Sequence, residues 1–207
     1  KRFNIHRETL TKYLKEYDLH EDRRSYQVNE NYFKTIDSES KAYWLGFITA
    51  DGCLKNNSNQ LSIGLSIKDI EHLQKFKNEI NSLHPITEEE FVINGKTYKI
   101  CYLRIGNDKL YNDLIDLNVT PNKTLHEKPA EIPKKLVKHY IRGIYDGDGW
   151  LSWGNGWSET GICMGYDMLC YIKNIMELSA NIKEYNIKPY KNVYRYRITS
   201  NIEIKKA

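Results

Sequence analysis

Trp44-Leu45-Gly46-Phe47-Ile48-Thr49-Ala50-Asp51-Gly52 returns 97 residues later as Ile141-Arg142-Gly143-Ile144-Tyr145-Asp146-Gly147-Asp148-Gly149. Each stretch is an apolar run with small residues four apart, Gly46 with Ala50 and Gly143 with Gly147, closed by an aspartate and a glycine. Small residues at i and i+4 make a smooth ridge along one helix face, so two such helices can approach almost backbone to backbone. A glycine just past the last helical residue is the usual stop signal. The aspartate before it sits at a helix C-terminus, where the macrodipole disfavours negative charge. Two such ends at one helix interface bring two carboxylates together, and a divalent cation would relieve both the repulsion and the dipole penalty. The pattern therefore predicts a metal site at Asp51 and Asp148. The plainer alternative is a buried helix whose Asp-Gly is only a capping turn, and doubling at matched positions weighs against it.

The rest of the chain repeats around these stretches. Leu61 to Ile67 alternates apolar and polar residues, as a half-buried strand does. Asp69 is the expected cap of a helix carrying Ile70, Leu73, Phe76 and Ile80, ended by His84-Pro85. Phe91 to Ile93 and Tyr98 to Ile105 flank Asn94-Gly95, a hairpin signal. Asn107 should cap a short helix with Leu110, Leu114 and Leu117. After a proline-containing stretch the order restarts: a helix over 135–147, strands over 150–153 and 159–164, a helix capped by Asp167, and a strand over 193–199 that places Arg197 opposite the position of Arg104. Asn201 should cap a last helix, expected to be cut short or disordered because the chain stops six residues later. This divides the chain into an N-terminal segment (1–40), a first half (41–117), a linker (118–133) and a second half (134–207).

The doubled motif resembles the LAGLIDADG family of homing endonucleases, named for these nine residues. Both copies keep the small residues at positions three and seven and the final Asp-Gly; at position six Thr49 replaces the acid that Asp146 keeps. The resemblance covers roughly residues 41–207. It implies an α+β fold of two αββαββα halves about a pseudo-twofold axis, with saddle-shaped antiparallel sheets over double-stranded DNA. In the family the position-eight acid is catalytic, which carries over to Asp51 and Asp148. The implied activity is site-specific, metal-dependent hydrolysis of DNA phosphodiesters by a monomer encoded in an intron or other mobile element. Asp51, Asp148 and the backbone carbonyls of Ala50 and Gly147 would hold Mg²⁺ or another divalent cation such as Mn²⁺. Basic residues such as Lys99 and Lys191 would stabilise the transition-state charge. Lys55, Arg104, Arg195, Arg197, Arg23 and Arg24 are the candidate DNA contacts. The competing class binds DNA or RNA without cutting, as an intron maturase or a transcriptional regulator. An intein endonuclease finds little support, with no splice-junction Cys or Ser and no terminal His-Asn.

Composition fits this reading without deciding it. Net charge is only +4, but residues 181–207 carry seven basic against two acidic side chains, which suits a polyanionic partner. Residues 1–40 hold eight of each sign, so charge does not choose between the end of a helix-turn-helix and a plain amphipathic helix over Phe3 to Lys15. The four cysteines form no C-x-x-C pair and read as reduced thiols, and the six histidines include no H-E-x-x-H. The longest apolar run, Ala42 to Ala50, is too short to span a bilayer. No signal peptide is visible, so the expected location is the cytoplasm of a bacterium or phage-infected host, with an organelle as the alternative.

Overall fold

The computed structural model describes residues 26–123 and 125–205, together with Thr9, Lys12, Tyr13, Glu16 and Tyr17. The expected helix-turn-helix remnant falls largely outside these residues, and Arg23 and Arg24 fall outside them entirely.

The first motif forms helix α1 (Glu39–Asp51), opened by Ser38, whose hydroxyl accepts from the Lys41 amide. The chain passes straight from α1 into strand β1 (Gly52–Lys55), which pairs antiparallel with β2 (Gln60–Ser66). Helix α2 (Ile70–Glu79) follows, then β3 (Ile86–Ile93) and β4 (Lys96–Gly106), then α3 (Asp108–Asp116). The second half repeats this order: α4 (Val137–Asp148), β5 (Gly149–Gly154), β6 (Trp157–Met164), α5 (Tyr166–Ala180), β7 (Lys188–Tyr190), β8 (Val193–Ile198) and α6 (Asn201–Ile204). The two sheets, of four antiparallel strands each, run β1-β2-β4-β3 and β5-β6-β8-β7. The fold is α+β and internally duplicated. Among the described residues no helix is long and apolar enough to cross a membrane.

Strand alternation separates two faces in each sheet. Leu61, Ile63, Leu103 and Ile105 point into the core and are fully buried. Their neighbours Ser62, Gly64, Tyr102 and Arg104 point to the opposite, open face. Residues 26–38 do not stand apart from the first half: Tyr32, Phe33 and Ile36 are buried in its core, and Tyr32 Oη donates to Glu79 at 3.1 Å.

Several local expectations need correction. Asp69 makes no capping hydrogen bond; Ser66 instead caps a 3₁₀ turn, Ile67–Asp69, that leads into α2. Asp167 lies inside the first turn of α5, and Gly165 holds the cap position. Asn201 begins α6 rather than capping it, and its side-chain oxygen accepts from Ser158. Strand β7, three residues long and containing Pro189, had no periodic signal to announce it. The glycine closing each motif is not left-handed: Gly52 (φ −74°, ψ 145°) and Gly149 (φ −83°, ψ 164°) are extended. Space is what excludes a side chain there. A Cβ on Gly52 would lie 2.5 Å from the Ile48 carbonyl oxygen, and one on Gly149 would lie 2.6 Å from that of Tyr145.

Candidate active site at the helix seam

Helices α1 and α4 meet backbone to backbone. A Cβ on Gly46 would fall 1.9 Å from the Tyr140 carbonyl oxygen, and one on Gly143 would fall 2.0 Å from that of Tyr43. At the last turn a Cβ on Gly147 would lie 2.5 Å from the Ala50 Cβ and 3.3 Å from Asp51 Oδ2. The small-residue ridges therefore set both the closeness of the helices and the shared end at which Asp51 and Asp148 sit.

Position six of each motif turns away from that end and ties the seam together. Tyr43 Oη donates to Asp146 Oδ2 at 2.8 Å and lies 3.2 Å from His72 Nε2. The counterpart pair, Tyr140 Oη and Thr49 Oγ1, is 3.3 Å apart, and the threonine also donates to the Leu45 carbonyl. The departure at Thr49 thus changes a seam contact and leaves the position-eight acids in place.

The two acids are electrostatically strained. Crowding by protein atoms raises the pKa of Asp51, and the Lys123 ammonium opposes the shift. Asp148 is partly open to solvent, yet crowding of its carboxyl, then the Asp51 charge beside it, push its pKa up to about 6; Lys123 again opposes. This is the coupling expected of two carboxylates sharing a site.

Lys123 was not foreseen. It comes from the linker, and its Nζ donates to the carbonyl oxygens of Ile48 (2.8 Å), Thr49 (2.6 Å) and Ala50 (2.9 Å), at the C-terminal end of α1. Desolvation lowers its pKa to about 8, against the pull of Asp148, Glu127 and Asp51. Glu127, four residues on, accepts from the Gly165 amide at 3.0 Å and so ties the linker to the start of α5. A sequence signal did exist: neither α1 nor α4 has a basic residue in its last turn. A helix end with free carbonyls and an acid needs a cation from elsewhere.

The lysines proposed for catalysis are placed differently. Lys99 pairs with Glu90 at 2.7 Å. By register it shares the helix-side face with Cys101 and Leu103, not the open face. Lys191 sits in the turn between β7 and β8, at the outer edge of the second sheet, with a left-handed φ of 51°. Neither is among the groups that set the ionisation of Asp51 or Asp148; Lys123 is. Lys55, Arg104, Arg195 and Arg197, by contrast, all alternate onto the open faces.

For a divalent metal, the available donors are Asp51, Asp148 and nearby carbonyls. Among the described residues no group of three His, Cys, Asp or Glu side chains could hold a metal ion. Two carboxylates with few further protein donors suit Mg²⁺, which keeps much of its hydration. The raised pKa of both acids fits a site that a cation would complete. Ala50 is the complication, because its carbonyl already accepts from Lys123.

Known structures share this architecture. The homing endonuclease I-WcaI bound to its DNA recognition sequence matches with a TM-score of 0.59 and 16% identity, over 87% of this chain and 85% of that one. The chain has the LAGLIDADG fold. Full-length DUF199/WhiA from Thermatoga maritima matches at TM-score 0.56 and 17% identity over 86% of this chain. This chain spans 57% of that protein's length. The N-terminal LAGLIDADG domain of DUF199/WhiA alone matches at TM-score 0.53 and 16% identity, over 86% of both chains. No protein-family model matches the sequence, and no curated protein does. At these identities the likeness speaks for the fold of the LAGLIDADG motif helices and sheets.

Proposed function

We propose that this protein is a monomeric, site-specific endonuclease that hydrolyses phosphodiesters of double-stranded DNA with a divalent metal, Mg²⁺ or Mn²⁺. The observation that carries the reading is the pair Asp51 and Asp148, held side by side at two helix ends and raised in pKa by crowding and mutual repulsion. In this reading the open faces of the two sheets lie along the duplex, and Lys55 and Arg195 meet its phosphates. Asp51 and Asp148 would hold the metal, with the carbonyls of Gly147 and Ala50 as further donors. The chemistry such a metal would supply is polarisation of the scissile phosphate, a lowered pKa for the attacking water and neutralisation of the leaving oxygen.

The chain's own groups orient this chemistry. The close glycine contacts fix the two carboxylates relative to each other. Lys123, anchored on the Ile48, Thr49 and Ala50 carbonyls, keeps a positive charge beside both acids and favours their ionised forms. With its own pKa lowered to about 8, it remains mostly protonated near pH 7. It is therefore suited to electrostatic stabilisation of a phosphorane-like transition state, while its three N–H donors stay on the α1 carbonyls.

The same lysine favours a second reading. An internal cation already satisfies the α1 terminus and engages Ala50, which would suit a scaffold that binds DNA or RNA without cutting. Incubating the protein with a randomised duplex library in Mg²⁺ and in chelator separates the two. Mg²⁺-dependent double-strand ends at a recurring sequence support the endonuclease, whereas recovery of bound but intact duplexes under both conditions supports the binding protein.

A further inference from the structure

The open faces carry two kinds of basic residue, and the difference assigns them different work. Among the described residues, Lys55, Lys188 and Arg195 form no ion pair with a carboxylate. Arg104 and Arg197 do. Arg104 Nη2 donates to Glu89 Oε1 at 2.7 Å, its Nη1 donates to Thr87 Oγ1 at 3.1 Å, and its guanidinium carbon lies 4.1 Å from the centre of the Tyr102 ring. Arg197 Nη1 donates to Glu159 Oε2 at 3.2 Å.

Register makes these two arginines equivalents. Arg104 lies opposite Ser62, next to Ile63, which faces Gly52. Arg197 lies opposite Gly161, next to Ile162, which faces Gly149. Each arginine therefore holds the same position relative to its own motif aspartate, although the acid that pairs with it comes from β3 in one half and β6 in the other.

An arginine already neutralised by glutamate is poorly suited to the phosphate backbone. The pair has no net charge, releases few counterions, and brings a carboxylate towards the phosphates. It keeps directional donors held in a fixed fork. Of the five N–H groups of Arg104, Thr87 and Glu89 take two, and the rest remain for a partner. Guanine offers two adjacent acceptors, O6 and N7, in the major groove, and a pre-positioned guanidinium engages them with little further loss of rotamer freedom. Resting on the DNA-recognition reading above, we propose that Arg104 and Arg197 each read a guanine, one in each half of the target, and that Glu89 and Glu159 are positioning residues that aim them. By the pseudo-twofold relation, the two guanines lie on opposite strands at equal distances from the centre of the site.

The test is selection of bound duplexes from a randomised library, without metal, by the full chain and by Arg104→Gln, Arg197→Gln and Glu89→Gln. The wild-type protein should enrich sites with one symmetrically placed guanine per half. Arg104→Gln should erase the guanine preference at one position of one half, by about tenfold or more, and leave the other half unchanged. Arg197→Gln should do the converse, and Glu89→Gln should blunt the preference in the Arg104 half without lowering the salt slope of binding. A phosphate contact would behave otherwise, weakening all sequences alike and lowering the salt slope by about one. If the wild-type protein enriches a sequence and both arginine variants keep it, the guanine assignment is wrong and DNA recognition stands. If the wild-type protein enriches none, both are wrong.

Discussion

Tyr43 and Asp146 join the two halves of the molecule through a 2.8 Å hydrogen bond from the phenol to the carboxylate, across the seam between α1 and α4. The counterpart pair, Tyr140 with Thr49, is looser at 3.3 Å and involves no charge. The duplication has therefore diverged within the seam while keeping its geometry. Tyr43→Phe should destabilise the fold by about 1–3 kcal/mol, because it removes a hydrogen bond to a charged group. Tyr140→Phe should cost at least as much, because the Tyr140 hydroxyl is buried and also accepts from the Ala130 amide, which would lose its partner. Urea unfolding of the two variants under one set of conditions checks the order.

The glycine contacts leave no room for a methyl group. Gly46→Ala and Gly143→Ala each force a carbon against a backbone carbonyl that cannot swing aside, so the helices must part. Overpacking of a well-filled interface costs about 1–3 kcal/mol and more where backbone must move. Thermal unfolding should show a large loss for both variants. Ala50→Gly, which only deletes a methyl facing Gly147, should be far milder.

Stability should also report the carboxylates. A carboxyl whose folded pKa is raised binds protons more tightly when folded, so it favours the folded state at low pH and disfavours it once both states are ionised. Asp148, at about 6 against an ordinary 3.8, should make stability fall as pH rises from about 4 to about 6. Asp51, shifted in the same direction, adds to this fall. Denaturation midpoints measured across that range should flatten in Asp148→Asn. Added Mg²⁺ should raise stability above pH 6 in the wild-type protein and have little effect in the variant.

Lys123→Met removes the cation that both acids and the α1 carbonyls share. Their pKa values should rise further, since the charge opposing the shift is gone. Cleavage should fall by orders of magnitude, with binding to the same duplex nearly intact. Lys99→Met and Lys191→Met should leave the rate close to wild type. Single-turnover rates and binding constants on one duplex distinguish the three.

Duplex binding should weaken steeply with salt. Replacing Lys55 or Arg195 by glutamine should reduce the slope of affinity against salt by about one, as expected for phosphate contacts. Filter binding across a salt series supplies the slopes.

The architecture was legible in the sequence wherever one periodic signal dominated. The two motif helices, the alternating strand at Leu61 to Ile67 and the Asn94-Gly95 hairpin each had one, and the doubling of the motif told how the helices meet. Legibility failed where long-range contacts decide. Lys123 lies in a proline-containing stretch with no period, and only the folded linker brings it to α1, 73 residues back at Ala50. The face that Lys99 takes was not legible either, because one residue of strand register exchanges the open face for the core face. The extended glycines closing each motif carry no local mark of why they are glycine, since the atom that excludes a side chain is a carbonyl of the preceding turn.

The most direct test is the rate of double-strand cleavage in Mg²⁺ of a duplex the protein selects, measured together with binding, for the wild-type protein, Asp51→Asn and Asp148→Asn. The account predicts cleavage by the wild-type protein alone, and binding by all three within a few fold. Cleavage at the wild-type rate by either variant, or no Mg²⁺-dependent cleavage by a wild-type protein that binds the duplex specifically, would contradict it.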